Sequence, residues 1–168
     1  MDSNKEIPDA ATILADTKRL RDLVRHIRNV QDAAIRIGEK CIENGDAEFG
    51  RSLVANAFVH DQSKFRGIEW DAIGSSDAEK KELIPIAIRN HQTTNSHHPE
   101  YWTGGIDRMP EIYIAEMVCD TYARSVEMGT SLRDWWKDVG LEKYNIPKSG
   151  KVWKIIKKYI DMILSEQF

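Results

Sequence analysis

The sequence predicts an all-α fold. Apolar residues recur at three- and four-residue steps over long stretches, which is the period of one helix face. No stretch of useful length alternates between apolar and polar residues, and only 10 Gly and 5 Pro interrupt the 168 residues. A chain of this length is typical of one domain, so residues 1–168 are expected to form a single helical bundle of five to seven helices.

Two helices are predicted in the first part of the chain. The first covers about residues 9–43, where the apolar residues keep a helical period until Asn44 and Gly45 give a turn signal. The second covers about residues 47–64. The stretch 65–76 contains two glycines and is predicted to be a loop.

The second part alternates helices with one irregular segment. Further helices are predicted at residues 76–91, 110–128, 131–137 and 148–166. Ser76 is the expected N-cap of the first of these, with Glu79 as its capping-box partner. Residues 92–110 read as an irregular loop that carries two histidines, and loops held on a rigid scaffold often carry function.

Composition excludes several classes of protein. The net charge is -3, and no basic stripe is present, which argues against binding to duplex nucleic acid. No run approaches the ~18 apolar residues of a membrane span. Cys41 and Cys119 form no CxxC pair, and the chain begins without the basic and apolar segments of a signal peptide, so a cytoplasmic location is expected.

The residues that can carry chemistry are five histidines and two aspartates. His60 and Asp61 are adjacent, which on one helix places two metal-ligating side chains about 100° apart, and Lys64 follows one turn later. Asp120 interrupts an otherwise apolar helix, AEMVCDTYAR, where a buried carboxylate is costly without a partner such as a metal ion. The other histidines are His26, His91, His97 and His98.

The order of these residues resembles the H…HD…D signature of the HD-domain metal-dependent phosphohydrolase superfamily. HIRNV at His26 resembles the first-motif helix, HDQSK fits the HDxxK pattern, and EMVCDTYAR resembles the last-motif helix. The intervening histidines fit the longer version of the pattern seen in two-metal members. HHPEYW also resembles a group of short uncharacterised HD-like proteins from bacteria and phages. Gln62 and Ser63 depart from the family, where many members carry an apolar residue and glycine.

The resemblance implies an HD-domain-like bundle with a two-metal site. His26, His60, Asp61 and Asp120 would hold a first divalent transition-metal ion. Asp61 would bridge to a second ion held by His91 and by His98 or His97. Imidazole and carboxylate suit Mn, Fe, Zn, Co or Ni, so the ligands select no single metal. A metal-bound hydroxide would then hydrolyse a nucleotide or another small phosphate ester.

Catalytic and substrate-binding roles follow from the same resemblance. Asp61 and Lys64 are the expected catalytic residues, with Lys64 as a phosphate clamp or proton source. The expected substrate-binding residues are Lys64, Arg28, Arg124, Gln92 and Trp102. For several of these side chains there is also a structural interpretation: the arginines can be solvated and Trp102 can pin its loop to the core. Glu116 is equally compatible with support of a ligand and with a surface charge, while Trp135, Trp136 and Trp153 are expected to pack.

Two other functions remain open on the sequence. The same ligands would serve a di-iron HD-type oxygenase that cleaves a C–C or C–P bond with O₂. An HD scaffold could also bind a nucleotide without turnover. The amphipathic helices at the two ends of the chain could in addition form a homodimer surface.

Overall fold

The computed structural model describes residues 9–74 and 79–165, and this part of the chain contains helices and no β-strand. The all-α prediction is therefore confirmed. The α-helices are α1 (Ala10–Glu43), α2 (Ala47–Val59), α3 (Gly67–Ala72), α4 (Ile84–Thr94), α5 (Glu111–Met128), α6 (Leu132–Trp135), α7 (Leu141–Lys143) and α8 (Lys151–Leu164). Short 3-10 helices lie at Gln62–Phe65, Glu79–Leu83, Pro99–Tyr101 and Gly105–Arg108, and a π-helical turn, Trp136–Gly140, connects α6 to α7.

Local signals set the ends of the two longest helices. The Asp9 side chain accepts a hydrogen bond of 2.7 Å from the Thr12 amide and caps α1, which ends at Asn44 as the sequence predicts. Helix α5 ends at Gly129, whose φ of 64° lies in the left-handed region that glycine adopts without a steric penalty. Both helices therefore follow from their own sequences.

Helix α5 lies at the centre of the bundle. Its residues 114–119 are all buried, and it packs against α1, α2 and α8. Most of the core is formed by the facing apolar side chains of these four helices, among them Val30, Ile37, Leu53, Val118 and Ile160. Because the core surrounds α5, the position of Asp120 on this helix is fixed by packing on several sides.

Helices α1 and α2 approach each other most closely at two glycines. A Cβ atom added to Gly50 would lie 2.6 Å from the carbonyl oxygen of Gly38, and one added to Gly38 would lie 3.1 Å from that of Gly50. Any side chain here would force the backbones apart. The two glycines therefore allow the close antiparallel packing of α1 and α2.

The predicted continuation of α2 to Lys64 is wrong. The helix ends at Val59, because His60 has an extended ψ of 134° and Asp61 a left-handed φ of 57°. Aspartate tolerates this conformation better than most residues. The chain resumes as the 3-10 helix Gln62–Phe65, so His60, Asp61 and Lys64 do not share one regular helix face.

The predicted loop at 65–76 also differs from the structure. It contains α3, whose Glu69 is buried at 1% exposure, and a helix of six residues is too short to show a period in the sequence. The predicted N-cap Ser76 lies outside the described residues. The last helix spans Lys151–Leu164 within the predicted 148–166.

Other sequence-based expectations concern the cysteines and the membrane. Cys41 and Cys119 are both buried, free thiols. In the described parts of the chain, no helix combines the length and apolarity needed to cross a bilayer.

The contact between the glycines gives a first test. We expect Gly50→Ala to lower the free energy of unfolding, because the clash with Gly38 costs about 1–3 kcal/mol and outweighs the gain in helix propensity of about 1 kcal/mol. Urea denaturation measures the change. Arg51→Ala, at the neighbouring exposed position, is the control and should stay within ~0.5 kcal/mol of wild type. A Gly50→Ala protein as stable as wild type would contradict the close packing.

Candidate metal centre

All five histidines converge at one place between α1, α2, α4, α5 and the loop that follows α4. His26 comes from α1, His91 from α4, and His60 from the end of α2, while His97 and His98 lie on the loop. His26, His60 and His97 are each 2% exposed. The left-handed turn at Asp61 directs its carboxylate into the same centre, where its oxygen atoms lie close to four imidazoles.

A first group consists of His26, His60 and Asp120. Oδ1 of Asp120 lies 3.1 Å from Nε2 of His26 and 4.0 Å from Nε2 of His60. Oδ2 of Asp61 lies 3.5 Å from each of the same two nitrogen atoms. The potential ligand atoms of His26, His60 and Asp120 all lie within 4.8 Å of one another.

A second group consists of His91, His97 and His98. The Nε2 atoms of His91 and His98 are 3.0 Å apart. Oδ1 of Asp61 lies 3.3 Å from Nε2 of His91 and 3.6 Å from Nε2 of His97. Asp61 therefore lies between the groups, with one oxygen facing each, and all seven residues expected to bind metal are brought together. Both His97 and His98 are within reach of the second group, so the geometry does not choose between them.

Three glutamates, of which Glu69 and Glu116 are buried, contact the outer nitrogen atoms of four imidazoles. Nδ1 of His26 lies 2.8 Å from Glu127, and Nδ1 of His91 lies 2.9 Å from Glu69. Glu116 lies 3.0 Å from Nδ1 of His60 and 3.4 Å from Nδ1 of His97. Because an ionised carboxylate only accepts hydrogen bonds, each Nδ1 donates and the Nε2 lone pair points to the centre. This arrangement is typical of metal-binding histidines.

The supporting acids are themselves fixed by the fold. Glu116, Asp120 and Glu127 lie within about 40° of one another around α5, on the face that looks into the centre. Glu69 accepts hydrogen bonds from Ser63 and Asn90 at 2.8 and 2.9 Å. Arg19 of α1 donates to the carbonyl of Glu69 and lies 4.2 Å above the ring of Trp70, which fixes α3 against α1.

Four buried polar atoms at the centre have no hydrogen-bond partner within the described residues. They are Nε2 of His26, His60 and His97, and Oδ1 of Asp61. An unsatisfied buried polar atom costs about 1–3 kcal/mol. A divalent cation would satisfy nitrogen and carboxylate atoms together, so these groups could hold a metal ion, and the donor set fits first-row transition metals.

The electrostatics favour the ligand form of several residues. Burial raises the pKa of Asp61, but His60 and Lys64 outweigh this and hold it well below its usual range. Burial also opposes ionisation of Glu116, yet hydrogen bonds from His60 and His97 lower its pKa to about 2. Burial and the neighbouring His97 lower the pKa of His98 to about 3, so that imidazole is neutral at pH 7. Metal ligation requires these ionised carboxylates and neutral imidazoles.

The pKa values of His60 and His91 are shifted in opposite directions. Burial lowers the pKa of His60, but Asp61 and Glu116 outweigh it and the net shift is upward. For His91, burial together with Lys64 produces a net lowering of the pKa. A cation at the centre would oppose the influence of Asp61 and Glu116 and favour neutral His60.

Two cavities adjoin the centre. One, of about 570 Å³, runs along α1 and reaches His26 and Glu127. The other, of about 520 Å³, reaches His91, His98 and Asp120. Both are lined by Lys64 and Arg124. A small anion in either cavity would therefore meet the centre and, among other cationic side chains, these two.

The expected substrate-binding residues divide into two sets. Lys64, Arg124 and Gln92 line the 520 Å³ cavity, and Lys64 also contacts Asp61. Arg28 is exposed, lies about 200° around α1 from His26, and lines neither cavity, so the structure does not bring it to the site. Trp102 also lines neither cavity. Its indole donates a 2.8 Å hydrogen bond to the Ser96 carbonyl and its ring packs on Tyr113, so it anchors the loop.

Sequence reasoning missed several residues of the site. Glu69 lies in a segment predicted to be a loop, and Glu127 carried no signal except its position on the same α5 face as Asp120. Trp135, expected to pack away from the site, lines the 520 Å³ cavity together with Lys143 and Tyr144. Trp136 is fully buried, in agreement with its expected packing role.

Comparison with known proteins identifies a family without an assigned activity. The family model described as "Family of unknown function (DUF5662)" matches residues 15–162, and the chain therefore belongs to this family. The match begins five residues into α1 and ends two residues before the end of α8, and it includes every residue of the centre. No curated protein and no solved structure matches the chain.

Metal binding should stabilise the folded protein. A cation that binds only the folded state at a hundred times its Kd adds about 2.7 kcal/mol, or roughly 5–10 °C in Tm for a domain of this size. We expect such a shift when Mn²⁺, Co²⁺ or Zn²⁺ is added to metal-depleted protein, measured by calorimetry. Asp61→Asn should abolish most of it, whereas Asp134→Asn, at an exposed position, should not. Equal shifts in both variants would exclude the centre as the binding site.

The metal-depleted protein should lose stability in acid. The unfolded chain takes up a proton on His98 near pH 6.5, whereas folded His98 does so only near pH 3, so stability falls as the pH drops through this window. Glu116 acts in the same direction, because the stability from its lowered pKa is present above about pH 4.5 and lost towards pH 2. Urea midpoints should therefore fall less between pH 6.5 and 5 in His98→Gln than in wild type. Gln62→Ala, a nearby non-titrating change, is the control; the prediction fails if all three proteins have the same slope.

Proposed function

We propose that this member of the DUF5662 family is a metal-dependent hydrolase of small phosphate esters with an HD-type two-metal site. One observation carries the proposal: the Asp61 carboxylate lies between two histidine groups while Lys64 and Arg124 line both adjoining cavities. The order of His26, His60, Asp61 and Asp120 along the chain, which resembles the HD superfamily, supports the same activity.

Two divalent ions held by these residues would supply activated water for attack on phosphorus and would neutralise charge on the phosphoryl oxygens. Asp61 would contribute one oxygen to each histidine group and so set their separation. Glu69, Glu116 and Glu127 keep the Nδ1 atoms protonated, which leaves the Nε2 lone pairs available at the centre. The chain itself thus supplies a rigid donor set.

The cationic side chains would bind and orient the phosphoryl group. Lys64 contacts Asp61 and lines both cavities, so its ammonium group can reach a phosphoryl oxygen beside the centre. Arg124 holds Glu127 at 3.1 Å and has 57% of its side chain exposed, which leaves its planar donors able to bind an anion. Both would favour anionic phosphate esters over uncharged ones.

The hydrolysis balances without a further reactant. A water oxygen forms a bond to phosphorus and releases a proton to the solvent, the ester P–O bond breaks, and the leaving oxygen takes up a proton. Lys64, the lysine in contact with Asp61, is the proposed donor of that proton, and solvent in the cavity restores it. Asp61 stays ionised throughout, in agreement with the direction of its pKa shift.

The test is phosphate release from a panel of phosphate monoesters by metal-depleted protein to which single metals are returned. We expect turnover only with added transition metal, a loss of at least a hundredfold in kcat/KM for Asp61→Asn and His60→Ala, and a loss of about ten- to a hundredfold for Lys64→Met. Lys154→Met, an exposed lysine of α8, is the matched control and should retain full activity.

Three results would contradict the proposal. Full metal content and activity in Asp61→Asn would place the chemistry elsewhere. Activity that requires iron and consumes O₂, with none under anaerobic conditions, would identify an oxygenase. Tight nucleotide binding with bound metal and no phosphate release across the panel would identify a binding module.

A further inference from the structure

The 520 Å³ cavity has a wall that the metal centre does not explain. At one side it reaches His91, His98, Asp120 and Lys64. It is also lined by Trp135, Lys143 and Tyr144, which we call the aromatic wall. Apolar side chains, among them Ile88 and Met128, line it as well. A phosphoryl group alone would use only the part of this cavity next to the centre.

The aromatic wall depends on the π-helical turn Trp136–Gly140. In a regular α-helix, Trp135 and Tyr144 would lie on opposite faces, because each residue advances about 100°. A π turn holds one extra residue, which rotates the later residues back by about one position. The turn therefore brings Lys143 and Tyr144 towards the face that carries Trp135. Such turns are frequent at functional sites.

Gly140 allows this turn to form beside two indoles. A Cβ atom added here would lie 2.5 Å from a ring carbon of Trp136 and 2.9 Å from one of Trp135. Trp136 is fully buried, and its ring lies 5.3 Å from Trp135 and 5.9 Å from Tyr144. Trp136 thus supports both aromatic residues from behind. The rings of Trp135 and Tyr144 are half-buried and both contact Trp136, so packing holds them at the cavity.

We infer that the aromatic wall is a subsite for a planar aromatic group on the same molecule as the phosphate. This inference rests on the proposed function, because the phosphoryl group would lie at the centre. Trp135 offers aromatic surface for stacking, which is tolerant of the identity of a flat ring, and Tyr144, with the Lys143 ammonium 4.9 Å from its ring centroid, forms the adjoining part of the wall. Lys143, exposed at the edge of the cavity, supplies a donor for an acceptor atom on that ring. The preferred substrates are therefore phosphate esters that carry a flat, polar-edged aromatic group.

The test compares two ligands that differ only in the aromatic group. These are the methylenephosphonate analogues of adenosine 5′-monophosphate and of ribose 5-phosphate, which ester hydrolysis cannot cleave. Binding to the full chain as purified is measured by isothermal titration calorimetry. We expect the adenosine analogue to bind at least tenfold more tightly than the ribose analogue.

Substitutions then locate the difference. Trp135→Leu should weaken the binding of the adenosine analogue about tenfold or more and change the Kd of the ribose analogue by less than twofold. Trp135→Phe, which keeps a ring and protects the fold, should give an intermediate affinity. Trp153→Leu is the matched control, since this half-buried tryptophan of α8 lines neither cavity. It should leave the affinity for both analogues unchanged.

The result separates this inference from the proposed function. Equal affinities of wild type for the two analogues, binding of neither, or equal effects of Trp135→Leu on both would overturn the subsite. Phosphate release from the two parent esters is measured in parallel. Discrimination between the analogues without phosphate release would support the subsite and contradict the hydrolase. Hydrolysis of both esters with no selective effect of Trp135→Leu would support the hydrolase and contradict the subsite.

Discussion

The arrangement of the centre depends on one carboxylate in one unusual backbone position. Asp61 follows directly after the end of α2, and its left-handed conformation ends regular helix there. If the helix continued, His60 and Asp61 would diverge around its axis. The break instead places the Asp61 oxygens between His26 and His60 on one side and His91 and His97 on the other. Segments that are distant in the sequence thus meet around a single side chain.

The charges around that carboxylate are arranged in layers. The inner layer presents nitrogen lone pairs and ionised oxygens, which repel one another without a cation or proton between them. The outer layer of Glu69, Glu116 and Glu127 fixes the imidazole tautomers. Glu116 contacts both His60 and His97, so it links the two histidine groups through a second route besides Asp61. The fold holds this unfavourable arrangement in place because α5, which carries Glu116 and Asp120, is packed on several sides.

The sequence was sufficient where structure is decided locally. Asp9, the turn at Asn44 and Gly45, and Gly129 determine helix ends through their own backbone and side-chain chemistry, and these ends lie where they were predicted. The seven histidines and aspartates could be grouped because their order resembles a known pattern. Glu69 could not, since a six-residue helix has no period to detect. The break at His60 and Asp61 has neither glycine nor proline to mark it, and the role of Trp135 depends on a π turn that changes which residues share a helix face.

The close contact of Gly38 and Gly50 acts as a pivot between α1 and α2. The two helices run antiparallel, and from this pivot His26 lies about 18 Å away along α1 and His60 about 15 Å along α2, at 1.5 Å per residue. At that distance from the glycine contact, a change of roughly 4° in the angle between the helices moves the two imidazoles about 1 Å relative to each other. Metal coordination tolerates errors of only ~0.5 Å. The absence of side chains at Gly38 and Gly50 therefore contributes to the separation of two central histidines that lie far from either glycine.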